Sequence, residues 1–287
     1  MKILRSPQEM TAWSKEQVVA GRAIGFVPTM GFFHEGHLAL MRRAGELADQ
    51  VVVSLFVNPI QFGPKEDLTA YPRDFEQDQA LAESVGVDVI FAPEPEDMYP
   101  AGFSSTVTVG EELTRQLCGA SRPGHFVGVA TVVTKLFNIV RPDLAVFGEK
   151  DFQQLAVIRR MTEDLNLGVE IIGHPIIREQ DGLAMSSRNT YLRAEEREAA
   201  LSLSRALARA RKMVAEGELH TERLRAVLEE FILSFAGTVV DYISFVDQFT
   251  LQPVAEVDKD TVLALAVKIN GKVRLIDNGF VMPLHER

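Results

Sequence analysis

The sequence predicts an α/β fold, a doubly wound Rossmann-like parallel sheet domain followed by a smaller α+β domain with an antiparallel sheet. Short apolar runs alternate with helical patterns through the first half of the chain, the signature of βα units around a parallel sheet. The run VVVSLFV at 51–57 is continuous and β-rich, as a strand covered on both faces requires. After about residue 178 the alternation stops, and Asn270-Gly271 between two apolar runs marks a type I′ hairpin.

Taken in order, residues 24–29 read as a strand, 37–49 as a helix, and 51–57 and 87–91 as strands. Residues 131–140 read as a helix, 144–147 as a strand, 151–166 as a helix and 169–172 as a strand. The polar stretch REQDGLAMSSRN then leads into a helix on which Ala199, Leu203, Ala206, Leu207, Ala210 and Val214 form one apolar stripe. A second helix covers 222–235, and DYISFVD, TVLALAVKI and VRLIDNGFV supply the antiparallel strands. The predicted boundary lies near residue 176: a Rossmann-like domain over 1–176, and a smaller C-terminal α+β domain over 177–287.

A chain of 287 residues can bury a substantial core without metal or disulfide staples. Its single cysteine, Cys118, has no intrachain partner and asks for no oxidising compartment. The N-terminus lacks the apolar core of a secretory signal, and no stretch approaches the roughly 18 apolar residues of a spanning helix. A cytoplasmic protein without a membrane partner is expected. A net charge of -10 repels a phosphate polymer from most of the surface, which disfavours extended nucleic-acid binding while leaving room for one nucleotide in a local basic pocket.

The strongest chemical signal is PTMGFFHEGHLAL at 28–40, which leaves a strand, turns through Gly31 and enters a helix. In doubly wound sheets, ligands bind beyond the carboxyl ends of the strands, where a helix N-terminus offers N–H groups to an anion. Gly36 lets the backbone approach a phosphate closely, and His34 and His37 can both aim ring N–H groups at its oxygens. Two surface histidines, or a metal pair, are the alternatives; zinc-protease helices space their histidines four apart, whereas these stand three apart with a glycine between. The HxGH pattern resembles the HIGH signature of adenylyl-transferring nucleotidylyltransferases.

Three further segments carry polar groups suited to the same ligand. The loop containing Met185, Ser186, Ser187 and Arg188 resembles the superfamily's KMSKS element, with hydroxyls and a guanidinium able to wrap a triphosphate. A polar interdomain linker is the alternative reading. In FGEKDFQQL at 147–155, Lys150 can meet phosphates and Gln154 projects from the helix start, although GEKD also suits a helix cap with Asp151 as capping residue. In FVNPIQFGP, Gln61 sits past the second strand, and an amide suits a substrate with hydroxyl and carboxylate groups because it both donates and accepts.

Together PTMGxxHxGHLxL, FVNPxQFGPxEDLxxYPR, RPGHFxGVxTVVxKLFNIVxPD, FGEKDxQQLxVIRRM and REQDGLAMSSRNxYL span most of residues 26–192, and this ordered set resembles the pantoate–β-alanine ligase family. The resemblance implies ATP-dependent condensation of (R)-pantoate with β-alanine to pantothenate through pantoyl adenylate, with magnesium, by a homodimer. It implies ATP contacts from Met30, Gly31, Phe32, Phe33, His34, Glu35, Gly36, His37, Gly148, Glu149, Lys150, Asp151, Ile177, Met185, Ser186, Ser187 and Arg188. His37 would be the proton donor, with His34 and Lys150 assisting. Gln61 and Gln154 would bind pantoate, and Gln61 would also meet β-alanine. Asn58, Arg122 and His125 lie in matching segments, and His125 reads equally as a loop histidine satisfied by neighbours. Phe32-Phe33 departs from the family pattern of a smaller residue and leucine, which bears on local pocket shape. Another nucleotidylyltransferase, acting on a different small acceptor, and a non-catalytic nucleotide-binding module are the competing readings.

Overall fold

Continuous apolar runs form the strands, and the amphipathic stretches between them form helices that cover the strands from both sides. A computed structural model describes residues 1–64, 66 and 68–282. In chain order the elements are β1 (Lys2–Leu4), α1 (Pro7–Val19), β2 (Ile24–Thr29), α2 (Glu35–Leu47), β3 (Gln50–Leu55), α3 (Phe75–Ser84) and β4 (Val89–Phe91). Three short helical turns follow, α4 (Pro95–Met98), α5 (Glu111–Thr114) and α6 (Cys118–Ser121), then α7 (His125–Val140), β5 (Leu144–Gly148), α8 (Phe152–Asp164) and β6 (Glu170–His174). The last part comprises α9 (Arg197–Ala215), α10 (Thr221–Leu233), β7 (Thr238–Asp247), β8 (Thr261–Ile269) and β9 (Val273–Phe280).

The chain divides into two compact units, one of residues 1–110, 122–149 and 154–175, the other of 111–121, 150–153 and 176–287. In the first unit, six described strands form a parallel sheet of order β1-β4-β3-β2-β5-β6. The order runs one way from β2 through β3 to β4 and the other way from β5 to β6. The switch point therefore lies between β2 and β5, and every loop after a strand leaves at the same edge. Val27, Val53, Ile90 and Val146 bury one face against Leu38, Met41 and Ala44 of α2, while Phe26 on the other face meets the Phe137 ring of α7.

Two helices begin earlier than the apolar pattern predicts. The helix expected at 37–49 starts at Glu35, because the His34 imidazole caps it. The helix expected at 131–140 starts at His125, through Gly128, where a Cβ would stand 2.6 Å from Gln61 Cα and from the Ile60 carbonyl oxygen. A glycine that looks like a helix breaker is here the condition for close packing of α7 against the turn at 59–61. The N-terminal strand and helix have no counterpart in the apolar reading. Ser6 and Glu9 form a capping box there with Pro7 at the first position, a start signal present in SPQE.

In the second unit, three described strands form an antiparallel sheet of order β7-β8-β9. Asn270 (φ 48°) and Gly271 (φ 68°) make the β8–β9 turn, the pair of positive φ angles that a type I′ hairpin needs. The stripe of α9, with Leu224, Leu228 and Ile232 of α10, packs on Leu263, Leu265 and Val267 of β8.

Candidate active site

The chain leaves β2 through Gly31 (φ 86°) and Phe32 (φ 55°), a left-handed pair held by one carboxylate. Asp78, 2% exposed, accepts from the Phe32 N–H at 2.7 Å and the Phe33 N–H at 2.6 Å. Burial pushes the Asp78 carboxyl above its ordinary pKa, while the two amides pull the other way. The next residues cap α2: the Gly36 N–H donates to His34 Nδ1 at 3.1 Å, and the His34 N–H to His37 Nδ1 at 3.4 Å. Each ring accepts at Nδ1, so in its neutral form each carries its proton on Nε2. The rings lie 4.1 Å apart, and Phe33 packs on His37 at 5.5 Å.

These bonds revise the expected donor set. The N–H groups of Phe32, Phe33, His34 and Gly36 already have acceptors in the protein, so this segment does not present them as a row of free amides. Glu35 is ion-paired to Arg42, whose guanidinium holds its carboxyl below the usual range.

Past β3, Asn58 and Gln61 are buried at 1% and 9% exposure. Asn58 Nδ2 donates to Gln61 Oε1 and to the Gly128 carbonyl, each at 3.1 Å, and Tyr99 donates to Asn58 Oδ1 at 2.7 Å. Burial pushes the Tyr99 phenol far above its ordinary pKa, so it remains a donor. Gln61 Nε2 lies 3.2 Å from Met30 Sδ, which links the loops after β2 and β3. His125 Nδ1 is 3.0 Å from the Gln61 carbonyl and its Nε2 3.0 Å from Arg122. Arg122 grips Glu66 with Nε and Nη2 at 2.7 and 2.6 Å. His125 is thus satisfied by neighbours, at the first position of α7 rather than in a loop.

In the second unit, the stretch expected as either a phosphate loop or a linker is a pinned hairpin. Arg178 and Ala184 bridge, the Glu179 N–H donates to Leu183 at 2.8 Å, and the Met185 N–H to the Ile177 carbonyl at 2.9 Å. Arg178 makes a two-pronged ion pair with Asp277, 2% exposed, at 2.7 and 2.8 Å. Arg197 binds both Glu179 and Asp181. Met185 ends the hairpin, and Ser186 then caps the turn Ser187–Tyr191 by accepting from the Arg188 N–H at 3.3 Å. Lys150, in the turn Glu149–Asp151, has its carbonyl held by Asn278 Nδ2 at 2.8 Å. Burial holds the Lys150 ammonium below its ordinary pKa; Asp151 and Asp277 oppose this and Arg188 adds to it.

The family model for pantoate-beta-alanine ligase matches residues 2–280. The chain belongs to the pantoate-beta-alanine ligase family. Pantothenate synthetase of Heliobacterium modesticaldum is 62% identical over 278 residues, covering 97% of this chain and 98% of that protein. The crystal structure of pantothenate synthetase from Thermus thermophilus matches with a TM-score of 0.93 at 45% identity, over 99% of this chain and 100% of that one. Pantoate-beta-alanine ligase from Francisella tularensis, in complex with beta-gamma ATP and beta-alanine, matches with a TM-score of 0.80 at 34% identity, over 98% of both chains.

In this ligase the predicted site residues fall into two groups. Met30 to His37, Gln61, Gly148, Glu149 and Gln154 belong to the first unit, and Lys150, Asp151, Ile177 and Met185 to Arg188 to the second. Gln154 is partly exposed on α8, whereas its neighbour Gln153 is consumed by the Cys118 N–H and the Leu113 and Gln116 carbonyls. Sequence reasoning missed Asp78, Tyr99, Gly128 and the Asp277-Asn278 pair. Only the last left a signal, two adjacent polar residues inside the apolar run VRLIDNGFV.

Proposed function

We propose that this chain condenses (R)-pantoate with β-alanine through pantoyl adenylate. The observation that carries the reading is that the loops after β2, β3 and β5 leave adjacent strands at one sheet edge, on both sides of the switch point. That edge gathers His34 and His37 after β2, the buried amide of Gln61 after β3 and Gly148 at the end of β5.

In the first step a pantoate carboxylate oxygen attacks the α-phosphorus of ATP, and the bond to the bridging oxygen breaks to release pyrophosphate. Charge grows on the phosphate oxygens, where the Nε2–H donors of His34 and His37 act, with His37 as proton donor. Lys150, Ser186, Ser187 and Arg188 are proposed to meet the phosphates, while Gln61 and Gln154 hold pantoate so that attack is intramolecular in effect. In the second step the β-alanine amine attacks the acyl carbon, and AMP leaves as the amine loses its proton.

Among the described residues no group of three or more His, Cys, Asp or Glu side chains is assembled around a common point. Magnesium is proposed to be carried mainly by the nucleotide phosphates and water, the usual preference of this ion. We further propose a homodimer, which sedimentation equilibrium would test. The deciding measurement is pyrophosphate and AMP release from ATP and magnesium. Pyrophosphate that requires pantoate, with AMP and pantothenate appearing only after β-alanine is added, is the expected result. Well-folded protein giving no pantoate-dependent pyrophosphate would refute the substrate assignment.

A further inference from the structure

Gln61 is held from two sides by groups whose donor and acceptor roles admit one solution. The Gly128 carbonyl can only accept, so the atom of Asn58 that faces it is the amide nitrogen. That same nitrogen faces the Gln61 side chain, which must answer with its oxygen. Both Asn58 N–H bonds are then used, and its oxygen accepts from Tyr99. Among the described residues, the amide nitrogen of Gln61 is left with a thioether, Met30 Sδ, a weak acceptor.

The backbone of Gln61 is fixed by a second chain of the same kind. A guanidinium only donates, so His125 accepts from Arg122 at Nε2, carries its proton on Nδ1 and donates it to the Gln61 carbonyl. The fork of Arg122 on Glu66 keeps that guanidinium in place. Gly128 serves both chains, because it supplies the carbonyl and its missing Cβ admits the backbone of Gln61.

We infer that Asn58 and His125 are positioning residues that lock Gln61 as a hydrogen-bond donor toward its substrate, so that this subsite selects an oxygen acceptor and rejects a donor. The inference rests on the reading of Gln61 as a pantoate-binding residue. It narrows the dual donor and acceptor role expected of a glutamine to one polarity.

Steady-state KM values for pantoate and ATP, with melting curves, test it in Gln61→Ala, His125→Phe, His125→Asn and Asn58→Asp. Gln61→Ala should raise the pantoate KM. His125→Phe should raise it about tenfold or more with the ATP KM within about twofold, as loss of one buried partner predicts. His125→Asn keeps a donor near the Nδ1 position and should restore most of the affinity. Asn58→Asp can only accept, turns the Gln61 amide around and should give the larger loss. If Asn58→Asp fails to fold, the His125 pair decides. Unchanged pantoate KM in His125→Phe, or parallel rises for pantoate and ATP, would overturn the relay while Gln61→Ala still shows its effect. Unchanged pantoate KM in Gln61→Ala itself would remove the underlying assignment and the relay with it.

Discussion

The two segments proposed to meet ATP phosphates are held in place by different physics. Residues 30–37 are shaped by neutral or singly charged acceptors on backbone amides, namely Asp78 under Phe32 and Phe33 and two imidazoles capping α2. Residues 185–188 follow a hairpin tied by guanidinium–carboxylate pairs, Arg178 with Asp277 and Arg197 with Glu179 and Asp181. A loop joining a strand to a helix borrows order from both elements and needs only its amides satisfied. A loop that joins neither borrows nothing, and ionic clamps supply the order instead.

The comparison breaks first at its anchors. Asp277→Ala strands the partly buried Arg178 guanidinium and should cost about 3–5 kcal/mol in chemical denaturation, the range for breaking a buried pair. Asp78→Ala strands only neutral amides and should cost less, about 1–3 kcal/mol. Equal losses would show that charge is not what distinguishes the two loops.

Next come the working groups. His37→Ala should lower single-turnover adenylation by at least about tenfold while leaving the fold intact, as loss of a transition-state donor does. Near-normal adenylation would remove His37 from the mechanism. Arg188→Lys keeps the charge but loses the planar fork, and a smaller fall in adenylation, about threefold to tenfold, is expected. A fall as large as that of His37→Ala would place the more demanding geometry in the second loop.

The smallest effect concerns stability and carries a pH signature. The folded pKa of Lys150 lies below its unfolded value, so the unfolded chain binds the proton more tightly. The cost is fully present below the folded pKa and fades as pH rises toward the ordinary lysine value. Lys150→Met should therefore melt slightly higher than the native protein at neutral pH, with the difference shrinking in alkaline buffer, while adenylation is lost. A variant less stable at neutral pH would show that Lys150 is well compensated by Asp151 and Asp277.

The sequence by itself determined the sheet, the hairpin at Asn270-Gly271 and the family-like segments proposed to carry chemistry. Strand burial on two faces, helical periodicity and left-handed turns are local properties that must be written in neighbouring residues. Even Ser6 and Glu9, which the apolar pattern overlooked, were a local signal. Only the tertiary structure decided which atoms those segments present. Asp78 reaches Phe32 and Phe33 across 46 and 45 positions, Asp277 reaches Arg178 across 99, and His125 reaches Gln61 across 64. Such bonds depend on where folding brings distant carboxylates, rings and carbonyls. They also turn ambiguous groups, an amide that can face two ways and a ring with two tautomers, into a donor of one polarity, because the partner that settles each choice lies far away in the chain.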